Sequence, residues 1–170
     1  MTKPRRNKKY VPRPIARDGG LLAIARCHAR GEESAPLRGE QVTDIGVAYW
    51  LSLENLRTGP ASEESWCNVA CALNIGLVLC EMGIGPEYEE AFVAALDGAF
   101  RAKARNSGNF RLDGDAMRDI EAAFAAHDLQ MQHATRAEVT KAMQTVRRRI
   151  DTGNVYTVQT ATSAPQALNN

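Results

Sequence analysis

Residues 62–82, SEESWCNVACALNIGLVLCEM, decide the fold of this chain. Ser62 is placed to cap a helix, and the two glutamates that follow it lie where carboxylates favour the helix dipole. Between Trp66 and Cys80 only two side chains are strongly polar, which is typical of a helix that is buried on every side. The run is about 15 residues, shorter than the roughly 20 that a bilayer requires. The sequence therefore predicts a central helix in the core of a soluble protein.

Four amphipathic helices are expected to surround this central helix. Their apolar residues recur at spacings of three and four, as a helix with one buried face requires. The predicted spans are residues 42–57, a helix that starts at Pro86, a helix that starts near Asp113 or Asp115, and a helix that opens with Thr135 and Glu138 and ends at Gly153. Short connections favour antiparallel neighbours. The predicted fold class is all-α, a single helical-bundle domain of about five helices with disordered termini.

The chain of 170 residues fits one domain with two tails. Residues 1–20 combine prolines, glycines and repelling charges, and we expect a disordered basic tail there. Residues 21–153 form the predicted helical domain, in which a short helix over 21–29 precedes a loop. Residues 154–170 are expected to be an extended or disordered C-terminal tail, since residues 154–160 favour a strand but have no partner strand.

The charge of the chain is divided unevenly. Residues 1–17 carry seven cations and no acid, which leaves 14 cations against 20 acids in the rest of the chain. Such basic arms often contact nucleic acid, and seven phosphate contacts on duplex DNA would give a salt slope of about −6. A merely solubilising arm fits the same pattern. The predicted nucleic-acid-binding residues are Lys3, Arg5, Arg6, Lys8, Lys9, Tyr10, Arg13 and Arg17.

The sequence offers little catalytic chemistry. It has no glycine-rich phosphate loop, no dinucleotide fingerprint and no nucleophile elbow. Cys67 and Cys71 share one helical face and could bind a metal together with Cys27 and His28, but cysteines in an apolar run usually pack as small hydrophobic residues. No enzyme activity, no cofactor and no metal are therefore expected.

Some polar residues are predicted to serve the fold. His127 lies on an apolar stripe and is expected to be a hydrogen-bonded core histidine. Asn68 and Asn74, if buried, need partners and are expected to tie loops to the core, with contact of one of them to a partner protein as the less favoured alternative. Residues 128–142 superficially look like a helix-turn-helix, but polar residues stand where that motif packs its apolar ones.

The opening residues 8–14, KKYVPRP, resemble the start of a loose group of small uncharacterised proteins encoded by bacteriophages and plasmids of proteobacteria. Those proteins also have an apolar helix with a tryptophan in mid-chain, as Trp66 is here. The resemblance implies a mobile-element accessory protein that works in the cytoplasm of a bacterial host. Free thiols in a reduced compartment agree with that location.

These observations lead to one main functional hypothesis and two alternatives. The main hypothesis is a non-enzymatic accessory protein that binds a host protein or nucleoprotein complex, for example to inhibit a host defence or transcription complex. Its basic tail would assist contact with nucleic acid, and no membrane is involved. The first alternative is a structural or self-assembling helical protein, a homodimer. The second is a metal- or thiol-dependent enzyme that uses Cys67, Cys71 and a histidine.

Overall fold

The computed structural model describes residues 35–105 and 109–153, and these residues form an all-α bundle, as predicted. The elements are α1 (Gly39–Thr58), α2 (Glu63–Glu81), a 3₁₀ turn (Pro86–Tyr88), α3 (Glu89–Ala104), α4 (Gly114–His133) and α5 (Arg136–Asp151). The described part of the chain has no strand beyond an isolated bridge between Pro36 and Thr135. None of its helices is both long and apolar enough to cross a bilayer.

The ends of the helices lie close to their predicted positions because side chains cap them. The Ser62 hydroxyl accepts a hydrogen bond from the Ser65 amide at 3.2 Å, and the Asp113 carboxylate accepts one from the Ala116 amide at 2.8 Å. Thr135 and Glu138 form the predicted capping box. Each cap pairs amides that the first turn of a helix leaves without partners.

The α2 helix is the centre of the bundle and packs against all four other helices. Val69, Leu73 and Leu79 are fully buried there. One strip of the helix is nevertheless open, because Cys67 is exposed and Cys71 is half-buried. The prediction that α2 is buried on every side is therefore wrong for this strip. Small side chains on that side leave the space between α3 and α5 unfilled.

Two glycines set how closely the helices approach. A Cβ atom added to Gly76 of α2 would stand less than 3.0 Å from ring carbons of Phe92 on α3. A Cβ atom added to Gly98 of α3 would stand 2.9 Å from the Cα atom of Ala116 on α4. The hydrogen at each position thus allows a contact that any other residue would prevent.

Candidate functional site

A groove of about 560 Å³, which we call the α2 groove, runs along the open strip of α2. Its floor includes Cys67, Cys71 and Leu77 of α2. Phe100 of α3 forms one wall and Val146 of α5 forms the other. A volume of this size, with a mostly apolar lining, is typical of protein sites that bind ligands or side chains of a partner.

The charged groups at the edge of the α2 groove have partners within the protein. The guanidinium of Arg149 on α5 donates to both carboxylate oxygens of Glu81 on α2, at 2.8 and 2.6 Å. The Lys103 ammonium lies 4.3 Å from the centre of the Trp66 ring, a distance suited to a cation–π contact. The Trp66 Nε1–H group donates to the Ala99 carbonyl at 2.8 Å. The groove therefore offers mostly apolar surface, with the Lys103 charge held over the Trp66 ring at one end.

The two thiols on the floor of the groove are not activated. Burial raises the pKa of Cys71 to about 12. Burial and then the Glu63 carboxylate raise the pKa of Cys67 above its ordinary value. Since the thiolate is the nucleophile and the metal ligand, both cysteines are poor reagents at neutral pH. No three His, Cys, Asp or Glu side chains converge on a metal position among residues 35–105 and 109–153.

Asn68 and Asn74 do not tie loops to the core, so that prediction is wrong. The Asn68 amide donates to the Ser52 hydroxyl at 3.2 Å and thereby joins α2 to α1. The Asn74 amide donates to the Ala70 carbonyl of its own helix at 2.7 Å. Both residues are half-buried, and the partners of both amides lie in helices.

A polar cluster that the sequence did not reveal joins α1 to α4. Asp128 accepts hydrogen bonds from the Tyr49 hydroxyl and, at 3.1 Å, from the Trp50 indole. Burial, followed by the hydrogen bond and the charge of Asp128, raises the pKa of Tyr49. The phenol therefore remains a neutral donor, and the cluster connects two helices rather than performing chemistry. The signal that could have revealed it is a tyrosine on an apolar stripe, which needs a partner for its hydroxyl.

His127 is a hydrogen-bonded core histidine, as predicted. It is 1% exposed, and its Nδ1 atom lies 3.2 Å from the Gln130 side-chain oxygen. The Gln130 amide nitrogen donates to the carbonyls of Gly76, at 3.1 Å, and Ile84, at 2.8 Å. Burial lowers the pKa of His127, so the ring is neutral at pH 7. The pair holds the end of α2 and the following turn against α4.

Apolar side chains are also exposed on α1. Val47 and Leu51 lie one turn apart and are each 58% exposed. Ile150 of α5, which lines the α2 groove, is 53% exposed. Exposed apolar residues that are grouped, rather than scattered, often mark contact surfaces.

The predicted nucleic-acid-binding residues lie outside the described residues. These are Lys3, Arg5, Arg6, Lys8, Lys9, Tyr10, Arg13 and Arg17. Cys27 and His28 also lie outside the described residues, and so do the predicted helix over 21–29 and the predicted extended piece over 154–160. Comparison of the chain with protein-family models, with curated proteins and with solved structures finds no match. The resemblance to phage and plasmid proteins stays a prediction.

Proposed function

We propose that this chain is a non-enzymatic accessory protein of a bacteriophage or another mobile element, which binds a host protein or nucleoprotein complex in the bacterial cytoplasm. The helical domain would hold an apolar, uncharged segment of the host protein in the α2 groove. The cationic N-terminal residues would add contact with nucleic acid. The activity that we propose for the groove and the cationic residues together is inhibition of a host defence or transcription complex.

The observation that carries the proposal is the α2 groove itself. Its lining is mostly apolar, and the charged residues Glu81 and Arg149 at one edge form an ion pair with each other. The raised pKa values of Cys67 and Cys71 argue against a thiol nucleophile in the cavity that these two cysteines share. Affinity at this surface would come from burial of apolar area.

The division of charge supports a separate role for the N-terminal residues. Residues 18–170 carry 14 cations and 20 acids, so this larger part of the chain repels a phosphate backbone. The seven cations of residues 1–17 are followed closely by glycines at positions 19 and 20. Contact with nucleic acid would thus depend on residues 1–17, and it would be insensitive to base sequence.

A gel-shift experiment across salt concentrations tests the nucleic-acid part. The full chain should bind duplex DNA at low salt, with a slope of about −6 in the logarithm of affinity against the logarithm of salt concentration, and residues 18–170 should not bind. A chain in which residues 1–17 are scrambled keeps the charge and should bind equally well. Unchanged binding after the deletion, or no binding of the full chain at low salt, would refute this part.

A pull-down from bacterial lysate, with and without nuclease, tests the protein part. Cys71→Phe would fill the α2 groove, whereas Ala122→Phe adds the same ring on the exposed surface of α4. We expect the first variant to lose a nuclease-resistant partner that the second variant retains. Equal retention by both variants would exclude the groove as the docking surface.

Homodimerisation is a second candidate because of the exposed residues on α1. Val47 and Leu51 form an apolar strip that a twofold-related copy could cover with the same strip. Leu51→Lys should then convert a dimer into a monomer in light scattering. A monomer for the unmodified chain at high concentration would remove this candidate.

A further inference from the structure

The α2 groove lies beside the point where the described chain ends. Arg149 and Ile150, in the last turn of α5, both line the groove. Gly153 follows with a φ of 70°, and its amide donates to the Ile150 carbonyl at 3.1 Å. A glycine in this left-handed conformation ends a helix and turns the chain away from the helix axis. Residues 154–170 therefore start at one end of the groove.

The chemistry of residues 154–170 matches the groove. The segment has no charged side chain, and its first seven residues are NVYTVQT. In an extended chain Tyr156 and Val158 would lie on one face, as a shallow apolar groove requires. The cationic N-terminal residues fit less well, because their charges would lose water without meeting an unpaired carboxylate. A neutral segment loses much less solvation on the same floor.

The lengths agree as well. The floor of the groove extends along α2 from Trp66 to Glu81, which is about 22 Å at 1.5 Å per residue. Residues 154–160 in extended form span about 23 Å at 3.3 Å per residue. The end of the groove at Glu81 is joined to α5 by the ion pair with Arg149. The segment can thus begin at this end and reach Trp66 without a further linker.

We propose that residues 154–160 bind in the α2 groove of their own chain, with Tyr156 and Val158 on its floor. This inference rests on the groove being a docking surface, which is part of the proposed function. In this position the segment covers part of the groove floor. Because the segment is covalently attached, its effective concentration is high, so that weak contacts suffice to hold it.

Alkylation of the groove cysteines in the purified chain tests the proposal without nucleic acid or lysate. Cys67 and Cys71 lie on the floor, whereas Cys80 is buried outside the groove and serves as an internal reference for unfolding. Mass spectrometry of peptides gives each rate separately. In a chain that ends at Gly153 we expect Cys71 to react about tenfold faster, which corresponds to about 1.4 kcal/mol of docking free energy.

Two point variants keep the test decisive if the shortened chain does not fold. Tyr156→Asp places a charge on the part of the segment that meets the groove and should give the same faster alkylation. Leu168→Asp adds the same charge outside the proposed docking residues 154–160 and should leave the rate of Cys71 alkylation unchanged. A synthetic peptide of residues 154–165, added to the shortened chain, should slow alkylation of Cys71 again.

Three results would overturn the proposal. The first is equal alkylation of Cys71 in the full chain and the Tyr156→Asp variant. The second is faster alkylation in the Leu168→Asp variant as well. The third is protection that falls on dilution of the protein, which would assign the segment to the groove of a second copy. If Cys71 stays protected from alkylation but the pull-down finds no host partner, the result would count against the proposed function alone.

Discussion

The contact between Gly76 and Phe92 predicts that one glycine-to-alanine substitution will destabilise the bundle while another stabilises it. Alanine in place of glycine in a helix interior ordinarily stabilises by about 0.8–1.0 kcal/mol. At Gly76 the new methyl group would meet the ring of Phe92, which is fully buried. At Gly46 of α1 the nearest atoms would stand at 3.8 Å, an ordinary contact distance.

The magnitude follows from the comparison of the two sites. Overpacking a filled core costs about 1–3 kcal/mol. Because the gain in helix propensity is common to both substitutions, the difference between them isolates this cost. We therefore expect Gly46→Ala to be more stable than Gly76→Ala by about 1–3 kcal/mol. In melting temperature the difference is roughly 2–4 °C for each kcal/mol in a chain of this size.

Urea denaturation, followed by far-UV circular dichroism, measures the difference. The slopes of the transitions should agree, so that the midpoints report stability. The double variant Gly76→Ala/Phe92→Leu should recover part of the loss, since the smaller side chain vacates the space. Equal stability of Gly76→Ala and Gly46→Ala would refute the close approach of Phe92 on α3 to Gly76 on α2.

Three further predictions concern the polar groups of the core. Asp128→Ala should lower the free energy of unfolding by about 1–3 kcal/mol, because it leaves the buried Tyr49 hydroxyl without its acceptor. The loss should be smaller in a Tyr49→Phe background. A double-mutant cycle by urea denaturation measures both values. His127 should make stability fall as the pH drops below its ordinary pKa of 6.5, because burial lowers the pKa in the folded state and the unfolded chain gains a proton first. In thermal melts between pH 5 and 7, His127→Gln should weaken this fall, and an equal fall in the variant would contradict the role of His127. Thr135→Ala should cost about 1 kcal/mol through loss of the capping box, and an unchanged melting temperature would contradict this role.

The sequence was informative wherever a single element carries its own signals. Ser62 caps α2, and Thr135 with Glu138 opens α5, because each needs only the neighbouring turn. The buried stripe of α1, with Ile45, Tyr49 and Leu53, likewise follows from the spacing along one helix. These local signals were enough to predict an all-α bundle around α2.

The features that sequence did not predict depend on which helices meet. Tyr49 and Asp128 are 79 positions apart, and nothing in either helix identifies the other as its partner. The α2 groove lies between α3 and α5, over a strip of small side chains on α2. The composition of α2 alone does not show how its neighbours are placed, and it therefore predicted burial on every side. The predicted nucleic-acid residues lie outside the described part of the chain and await the salt experiment.

The two tryptophans give this bundle a pair of built-in optical probes. The Trp50 indole is fixed to α4 through Asp128, whereas the Trp66 indole is fixed to α3 through the Ala99 carbonyl. Each ring thus reports by its fluorescence on a different pair of helices. Chains that retain one tryptophan at a time would show from emission spectra alone whether the two halves of the domain separate together or in succession.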